Sequence, residues 1–256
     1  MIDFNDLPVK EKIYYQDDAV VIYHADCRDI LPLIPDKSID LVLTDPPYGR
    51  NEIKNNPSRG KLAVSKNYGL GEWDREPIDQ VTINQIIYKA NHSIIFGGNY
   101  YCLPPSSCWL VWDKDNMGND FADCELAWTN FDTAVRKFLW RWNGMLQEPN
   151  SPKDYRYHPT QKPSGLISVI ISKYSSEGNL ILDPFLGSGA TAFCAKKLGR
   201  KCIGIEIEEK YCEIAAKRCS QTVMDLSSTP SNISKDTRLA NSDRQPSLLE
   251  KRSIAR

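Results

Sequence analysis

The chain has 256 residues, with 32 Lys and Arg against 33 Asp and Glu and a formal net charge of −1. That length suits one α/β domain and leaves little for a second. The even charge balance excludes a protein that captures polyanions through its overall field, so any contact with nucleic acid must come from local basic surface. No run of about 18 apolar residues argues for a membrane span. The opening MIDFNDLPVKEK lacks the basic start and apolar stretch of a signal peptide, so a cytoplasmic location is expected. The eight cysteines form no CxxC pair and several have apolar neighbours, which reads as reduced core cysteine. The three histidines stand in no metal-type spacing, and no metal site is expected.

In chain order, residues 19–24 read as a β-branched and aromatic strand, with Asp26 and Cys27 just beyond its end. Residues 28–33 read as a short helix closed by Pro35 and a turn. Residues 39–44 are apolar enough for a strand inside a sheet and run into Asp45-Pro46-Pro47-Tyr48-Gly49. Residues 50–76 are polar and aperiodic, a loop of the length that usually has a function. A helix is predicted over 81–90, and strands over 93–96, 109–112, 125–128 and 137–142. After an irregular stretch, 143–157, comes His158-Pro159-Thr160-Gln161-Lys162-Pro163 and a helix over 166–174. A buried strand over 179–182 leads into the turn 183–189; a helix over 190–198, a strand over 201–206 and a helix over 209–219 complete the pattern. Alternation of this kind predicts a mostly parallel, doubly wound sheet. Residues 221–256 are rich in Ser, Thr, Asn and Pro, and are expected to be a tail with too few apolar groups to order.

Two turns carry chemistry. In the first, strand, glycine turn and helix aim backbone N–H groups and a positive helix end at a crevice beside the sheet. Asp183 stands at the strand end, where a carboxylate can balance a cationic ligand or bind its amino group, and Gly187 and Gly189 permit close approach of a ligand. Glu206 follows 23 positions after Asp183, near the spacing at which an acid reaches a ribose diol. The pattern is not G-x-G-x-x-G, which favours a nucleoside-bearing cofactor other than a nicotinamide. In the second, the Asp45 carboxylate and the Pro46 carbonyl are two acceptors at a sheet edge that could take both N–H donors of an exocyclic amine. That would free the nitrogen lone pair for attack on a methyl sulfonium, while Tyr48 offers a face for an extruded base, a contact worth about 1–3 kcal/mol.

With these blocks in this order, the sequence resembles the β-class DNA amino-methyltransferases, over residues 15–219. The resemblance implies a permuted, seven-stranded Rossmann-like sheet and site-specific methyl transfer from S-adenosyl-L-methionine to a base flipped from double-stranded DNA. It implies a target pocket of Asp45, Pro46, Pro47 and Tyr48. It implies a cofactor site of Asp26, Cys27, Thr160, Lys162, Asp183, Phe185, Gly187, Gly189, Thr191 and Glu206, with Thr160 and Lys162 beside the methionine moiety. Asp at position 45 favours adenine N6, since cytosine-N4 members more often carry Ser there; N4-cytosine transfer and an inactive nucleic-acid-binding relative are the alternatives. A homodimer and a cognate restriction endonuclease are the partners it suggests.

Two segments are candidate DNA contacts, because they mix basic and aromatic residues. One holds Arg50, Lys54, Arg59 and Lys61; the other holds Arg136, Lys137 and Arg141 among Trp140, Trp142 and Tyr155. Trp109 and Trp112 are expected to pack in or beside the sheet. The expected organisation is a catalytic domain over 1–220 with short recognition insertions at 50–76 and 133–157.

Overall fold

The computed structural model describes residues 2, 4, 7–49, 76–116, 122–143, 146, 147, 149, 154–157 and 160–221. The expected tail, except Gln221, and nearly all of the 50–76 segment lie outside the described residues. The elements run β1 (Ile13–Gln16), β2 (Val20–His24), α1 (Cys27–Ile30), β3 (Ile39–Thr44), α2 (Gln80–Lys89), β4 (Ala90–Phe96), β5 (Trp109–Asp113), β6 (Cys124–Thr129) and β7 (Arg136–Leu139). The two-residue pair β8 (Trp142–Asn143) and β9 (Leu146–Gln147) follows, then α3 (Ser164–Tyr174), β10 (Leu180–Asp183), α4 (Ala190–Lys197), β11 (Lys201–Glu206) and α5 (Glu209–Ser220).

Among the described residues the main sheet has nine strands, in the order β1-β2-β11-β10-β3-β4-β6-β5-β7. Its centre, from β2 to β4, is parallel, whereas β6 runs antiparallel between β4 and β5. The doubly wound class is as expected, but the strand count is nine in place of seven. One addition is β1, which pairs antiparallel with β2 and half buries alternate residues. A strand so short has too little pattern to be read beforehand, yet it covers the hydrogen-bonding edge that β2 would otherwise leave open. The expected strand over 137–142 divides into β7, on the far edge, and β8 in the small hairpin.

Both faces of the parallel strands are largely buried, which is why their sequences read as mostly apolar runs. Along β2, Val20 and Ile22 face one core cluster and Val21 and Tyr23 the other. Helices α3, α4 and α5 cover the first face through Leu166, Ile170, Cys194, Ala215 and Cys219. Helices α1 and α2 cover the second through Ile30, Ile83 and Ile86. Of the cysteines, 27, 108, 194, 202, 212 and 219 are buried. Trp112 is almost fully buried and Trp109 partly so, as expected for residues packed with the sheet.

This winding has one functional consequence. The chain leaves β3 toward β4 on one side, and leaves β10 toward β11 on the other, while β3 and β10 are neighbours. The two connections part at the carboxyl ends of β3 and β10, and a crevice opens there. In open α/β sheets such a switch point is where ligands bind.

Candidate active site

At that switch point lies a cleft of about 530 Å³, within the range that holds a drug-sized ligand. Asp45 and Pro47 from the turn after β3 line it together with Asp183, Phe185 and Gly187 from the turn after β10. The two turns are joined directly: Thr44 Oγ1 donates to Asp183 Oδ1 at 2.7 Å, in a buried position.

On the β10 side, burial pushes the Asp183 carboxyl up to about 6, against the hydroxyls of Thr191 and Thr44 and the Phe185 N–H, which favour its charged form. Glu206, at the end of β11, accepts from the Gly187 N–H at 2.7 Å and from the Glu208 N–H at 2.8 Å. Burial nevertheless raises it to about 7. Two buried carboxylates with no cationic partner among the described residues are expensive to ionise. Their hydrogen-bond donors lower that cost only in part. A ligand with a positive centre or with hydroxyl donors supplies the missing compensation. The residue types therefore fit S-adenosyl-L-methionine, whose ends carry an ammonium, a sulfonium and a ribose diol.

Asp26 caps α1, accepting from the Arg28 N–H at 2.9 Å, and lines the cleft with Cys27. Hydrogen bonds from the Arg28 guanidinium hold Asp26 below its ordinary value. Burial raises the Cys27 thiol to about 12, so it is a protonated wall residue rather than a nucleophile. Thr160, Lys162 and Thr191 also line the cleft. Gly189 does not. Its φ is +80°, and a Cβ there would stand 2.6 Å from the Ala215 Cβ, so the glycine serves the packing of α4 against α5.

On the β3 side, Asp45 accepts from both Tyr48 Oη and Lys162 Nζ. Lys162 lines the cleft, and its ammonium contacts Asp45, 3.3 Å from Glu125 Oε2 and 5.2 Å from the Phe96 ring centroid. Pro46 is buried and does not line the cleft, and the Pro47 carbonyl accepts from Tyr101 Oη at 2.6 Å. Tyr48 does not present a bare ring as expected. Tyr100 stacks on it with centroids 4.9 Å apart and planes at 24°. The backbone of Gly97, φ +64°, also lies against the ring, where a Cβ would come within 2.1 Å of Cε1.

Several cleft residues were not foreseen. Glu76, Pro77, Ile78 and Asp79 form a wall on the Asp45–Tyr48 turn: Tyr48 bridges to Pro77, and the Ile78 N–H donates to the Pro47 carbonyl at 3.3 Å. Gln161 ties the 160–162 segment to the glycine turn, accepting from Ser188 Oγ at 2.9 Å. Glu125, on β6, does not line the cleft but contacts Lys162, which does, and it carried no local signal. A polar residue on an antiparallel strand looks solvated until its partner is known.

Of the candidate DNA contacts, Arg50, Lys54, Arg59 and Lys61 lie outside the described residues. Arg136 and Lys137 sit on β7, and Arg136 is level with Phe96 at the cleft, through the register Phe96–Ala127–Leu110–Arg136. Lys137 pairs with Asp113 at 3.1 Å and Arg141 pairs with Asp115, so acids partly offset this basic stretch. Trp140 and Trp142 pack against the core instead of interleaving with the basic residues on the surface. Tyr155 is 60% exposed.

A doubly wound sheet with a glycine turn and paired acids at its switch point defines an enzyme that binds a nucleoside cofactor. The comparisons give the family. The DNA methylase family of N6 and N4 methyltransferases matches residues 107–217. The type II methyltransferase M2.LlaDCHI of Lactococcus lactis subsp. cremoris is 30% identical, over 82% of this chain and 93% of its own. M2.DpnII of Streptococcus pneumoniae is 26% identical over 81% and 92%, and M2.MboI of Moraxella bovis 28% identical over 77% and 86%. Among solved structures, the cytosine-N4-specific PvuII DNA methyltransferase superposes with a TM-score of 0.52 over 87% of this chain and 91% of that one; at 18% identity the likeness is one of fold. The chain belongs to the DNA methylase family and is an S-adenosyl-L-methionine-dependent DNA methyltransferase. Among the described residues, no helix is long and apolar enough to cross a membrane.

Proposed function

We propose that this enzyme methylates the N6 amino group of adenine at a specific site in duplex DNA. The observation that carries the reading is the meeting of Asp45 and Asp183 in one cleft, through neighbouring strand ends and the Thr44–Asp183 hydrogen bond. One side of the cleft suits the cofactor and the other the amine.

On the cofactor side, Asp183 and Glu206 are the anionic anchors, with Asp26, Cys27, Phe185, Gly187, Thr160 and Thr191 around them. Bound there, S-adenosyl-L-methionine supplies an electrophilic methyl group on a positive sulfur that is neutral after transfer. On the target side, an Asp45 carboxylate oxygen accepts one N–H of the exocyclic amine, and the Pro46 carbonyl accepts the other. Both bonds draw the nitrogen lone pair out of conjugation and toward the methyl group. As the nitrogen–methyl bond forms and the sulfur–methyl bond breaks, the positive charge passes from sulfur to nitrogen, which then gives up one proton to solvent. No net charge has to be created, so alignment by the two rigid turns supplies much of the rate. Tyr48 stacks on the flipped base through the face that Tyr100 now covers, with Tyr100 turning outward to admit it.

DNA approaches the carboxyl edge of the sheet. Arg136, Lys137 and Arg141, with the basic residues between 50 and 61, meet its phosphates. With residues 1–220 forming the catalytic domain, recognition falls to these short segments, and a short target sequence follows. The family likeness further supports a cytoplasmic enzyme, a homodimer and a cognate restriction endonuclease as working partner.

The test is nucleoside mass spectrometry of duplex DNA incubated with the protein and S-adenosyl-L-methionine. N6-methyladenine is the expected product. N4-methylcytosine as the product would reassign the base, and cofactor binding without transfer to any DNA would favour an inactive DNA-binding relative.

A further inference from the structure

Lys162 bridges two carboxylates drawn from different parts of the sheet. Its ammonium contacts Asp45, from the turn after β3, and stands 3.3 Å from Glu125 Oε2 on β6. The Lys162 and Asp45 side chains are only 10% and 20% exposed. Glu125 in turn accepts from Lys114, the residue just after β5, with 2.5 Å between Oε1 and Nζ. The result is an alternating row, Asp45–Lys162–Glu125–Lys114, running from the cleft across β6 to β5. Among the described residues Tyr48 Oη also donates to Asp45, and the Asp183 carboxylate lies near it across the β3–β10 junction.

We infer that Lys162 and Glu125 are positioning residues for methyl transfer: Lys162 holds the Asp45 carboxylate ionised and aimed at the target amine, and Glu125 holds Lys162. The inference rests on the proposed role of Asp45 as the amine's acceptor.

The physical case has three parts. A carboxylate in a largely buried cleft loses its solvation, and the neutral acid is a poorer acceptor than the anion. The only cation on Asp45 among the described contacts is Lys162, and opposite charges at such distances favour the ionised form. A single lysine on a flexible stem would not keep one direction, because an ammonium is a point charge with rotatable donors. The second carboxylate, Glu125, fixes it from the far side, and Lys114 keeps Glu125 from adding an uncompensated negative charge. Burial leaves the Asp45 carboxyl above its ordinary value even with Lys162 in place, so the lysine offsets that rise without cancelling it. Burial pushes the Asp45 carboxyl up; the Lys162 ammonium pulls against that, and the Glu125 charge adds to it. Burial also pushes Glu125 up, but Lys162 and Lys114 outweigh it and hold Glu125 below its ordinary value.

The sign of each perturbation follows. Taking away the Lys162 charge leaves Asp45 to burial, Glu125 and Asp183, which favour its protonated form, with the Tyr48 hydrogen bond alone of these favouring the anion. Taking away the Glu125 charge leaves Lys162 to Asp45 alone, and favours the anion.

The experiment measures single-turnover methylation of duplex DNA against pH, with cofactor and DNA saturating, for the wild type, Lys162→Met, Lys162→Arg and Glu125→Gln. The acid limb is expected to move to higher pH by about one unit or more in Lys162→Met, and to lower pH in Glu125→Gln. Lys162→Arg keeps the charge and should keep the limb in place, at a reduced plateau. The same order is expected without DNA or cofactor, from the Asp45 carboxyl carbon resonance in each variant titrated by NMR; this readout also serves a variant too slow to assay. A purely structural role lowers the plateau and leaves both limb and resonance unmoved, and that result would overturn the inference. Asp45→Ala separates the two levels. If it retains transfer, the target-side reading itself is wrong. If it loses transfer while the limbs and resonances of the other variants coincide with wild type, only the Lys162–Glu125 role falls.

Discussion

Thr44 and Asp183, 139 positions apart in the chain, share a buried hydrogen bond of 2.7 Å at the junction of β3 and β10. The bond stitches the target-side turn to the cofactor-side turn, and it also assists the ionisation of Asp183. Thr44→Val keeps the shape and removes the donor. Hydrogen bonds to charged groups contribute about 1.5–3 kcal/mol, so folding stability should fall on that scale, and cofactor affinity should fall as well because Asp183 is then less readily ionised. Isothermal titration with S-adenosyl-L-methionine measures that second effect; unchanged affinity would mean that Asp183 does not act as an anion toward the cofactor.

Asp45 and Asp183 have different duties in the proposed site, and the difference is measurable. Asp45→Ala should slow methyl transfer by about 10²–10³-fold, the scale for losing one preorganised electrostatic contact. Cofactor affinity should stay within about twofold. A comparable loss of both would merge the two halves of the cleft into a single binding function.

The raised carboxyls make cofactor binding pH-dependent. Asp183 near 6 and Glu206 near 7 are partly protonated in mildly acidic solution, whereas a cationic, diol-bearing ligand selects the anions. Affinity should weaken as pH falls from about 8 through 7 and 6, and binding near pH 6.5 should release protons, seen as a binding enthalpy that varies with buffer. The free protein has the opposite slope. Its folded state binds more protons than the unfolded chain between the ordinary values of 3.8 and 4.5 and the raised ones. These two groups therefore subtract stability as pH rises through that window, by up to about 3 kcal/mol each. Urea titrations of the free and the cofactor-saturated protein at pH 5 and 7.5 should show that opposition. Parallel behaviour would rule out proton linkage through this pair.

Gly189 tests packing against ligand contact. Gly189→Ala puts a Cβ 2.6 Å from the Ala215 Cβ at a φ of +80°. Overpacking together with a disfavoured backbone should cost about 2–4 kcal/mol. A glycine needed only for close approach of the cofactor would instead show weakened binding at unchanged stability. The urea midpoint and the cofactor titration, measured on the same variant, separate the two roles.

Much of this molecule is local, and so was legible in the sequence. The parallel strands reveal themselves because burial on both faces demands mostly apolar runs such as Leu41-Val42-Leu43. The two turns stand out through Pro46, Pro47 and the glycines, whose backbone restrictions are properties of single residues. Asp183 and Glu206 were found by their places at strand ends. What only the tertiary structure decided is which side chains meet. The pairing of Lys162 with Asp45 and Glu125, the stack of Tyr100 on Tyr48 and the contact of Gly189 with α5 each join residues that ordinary spacing rules do not connect. A charge or a ring interacts over a few ångströms of space, whatever the number of residues between. The sequence by itself thus determined that the strands and turns of a methyltransferase exist; the winding order of the sheet decided that β3 and β10 lie side by side, and with them the two halves of the cleft.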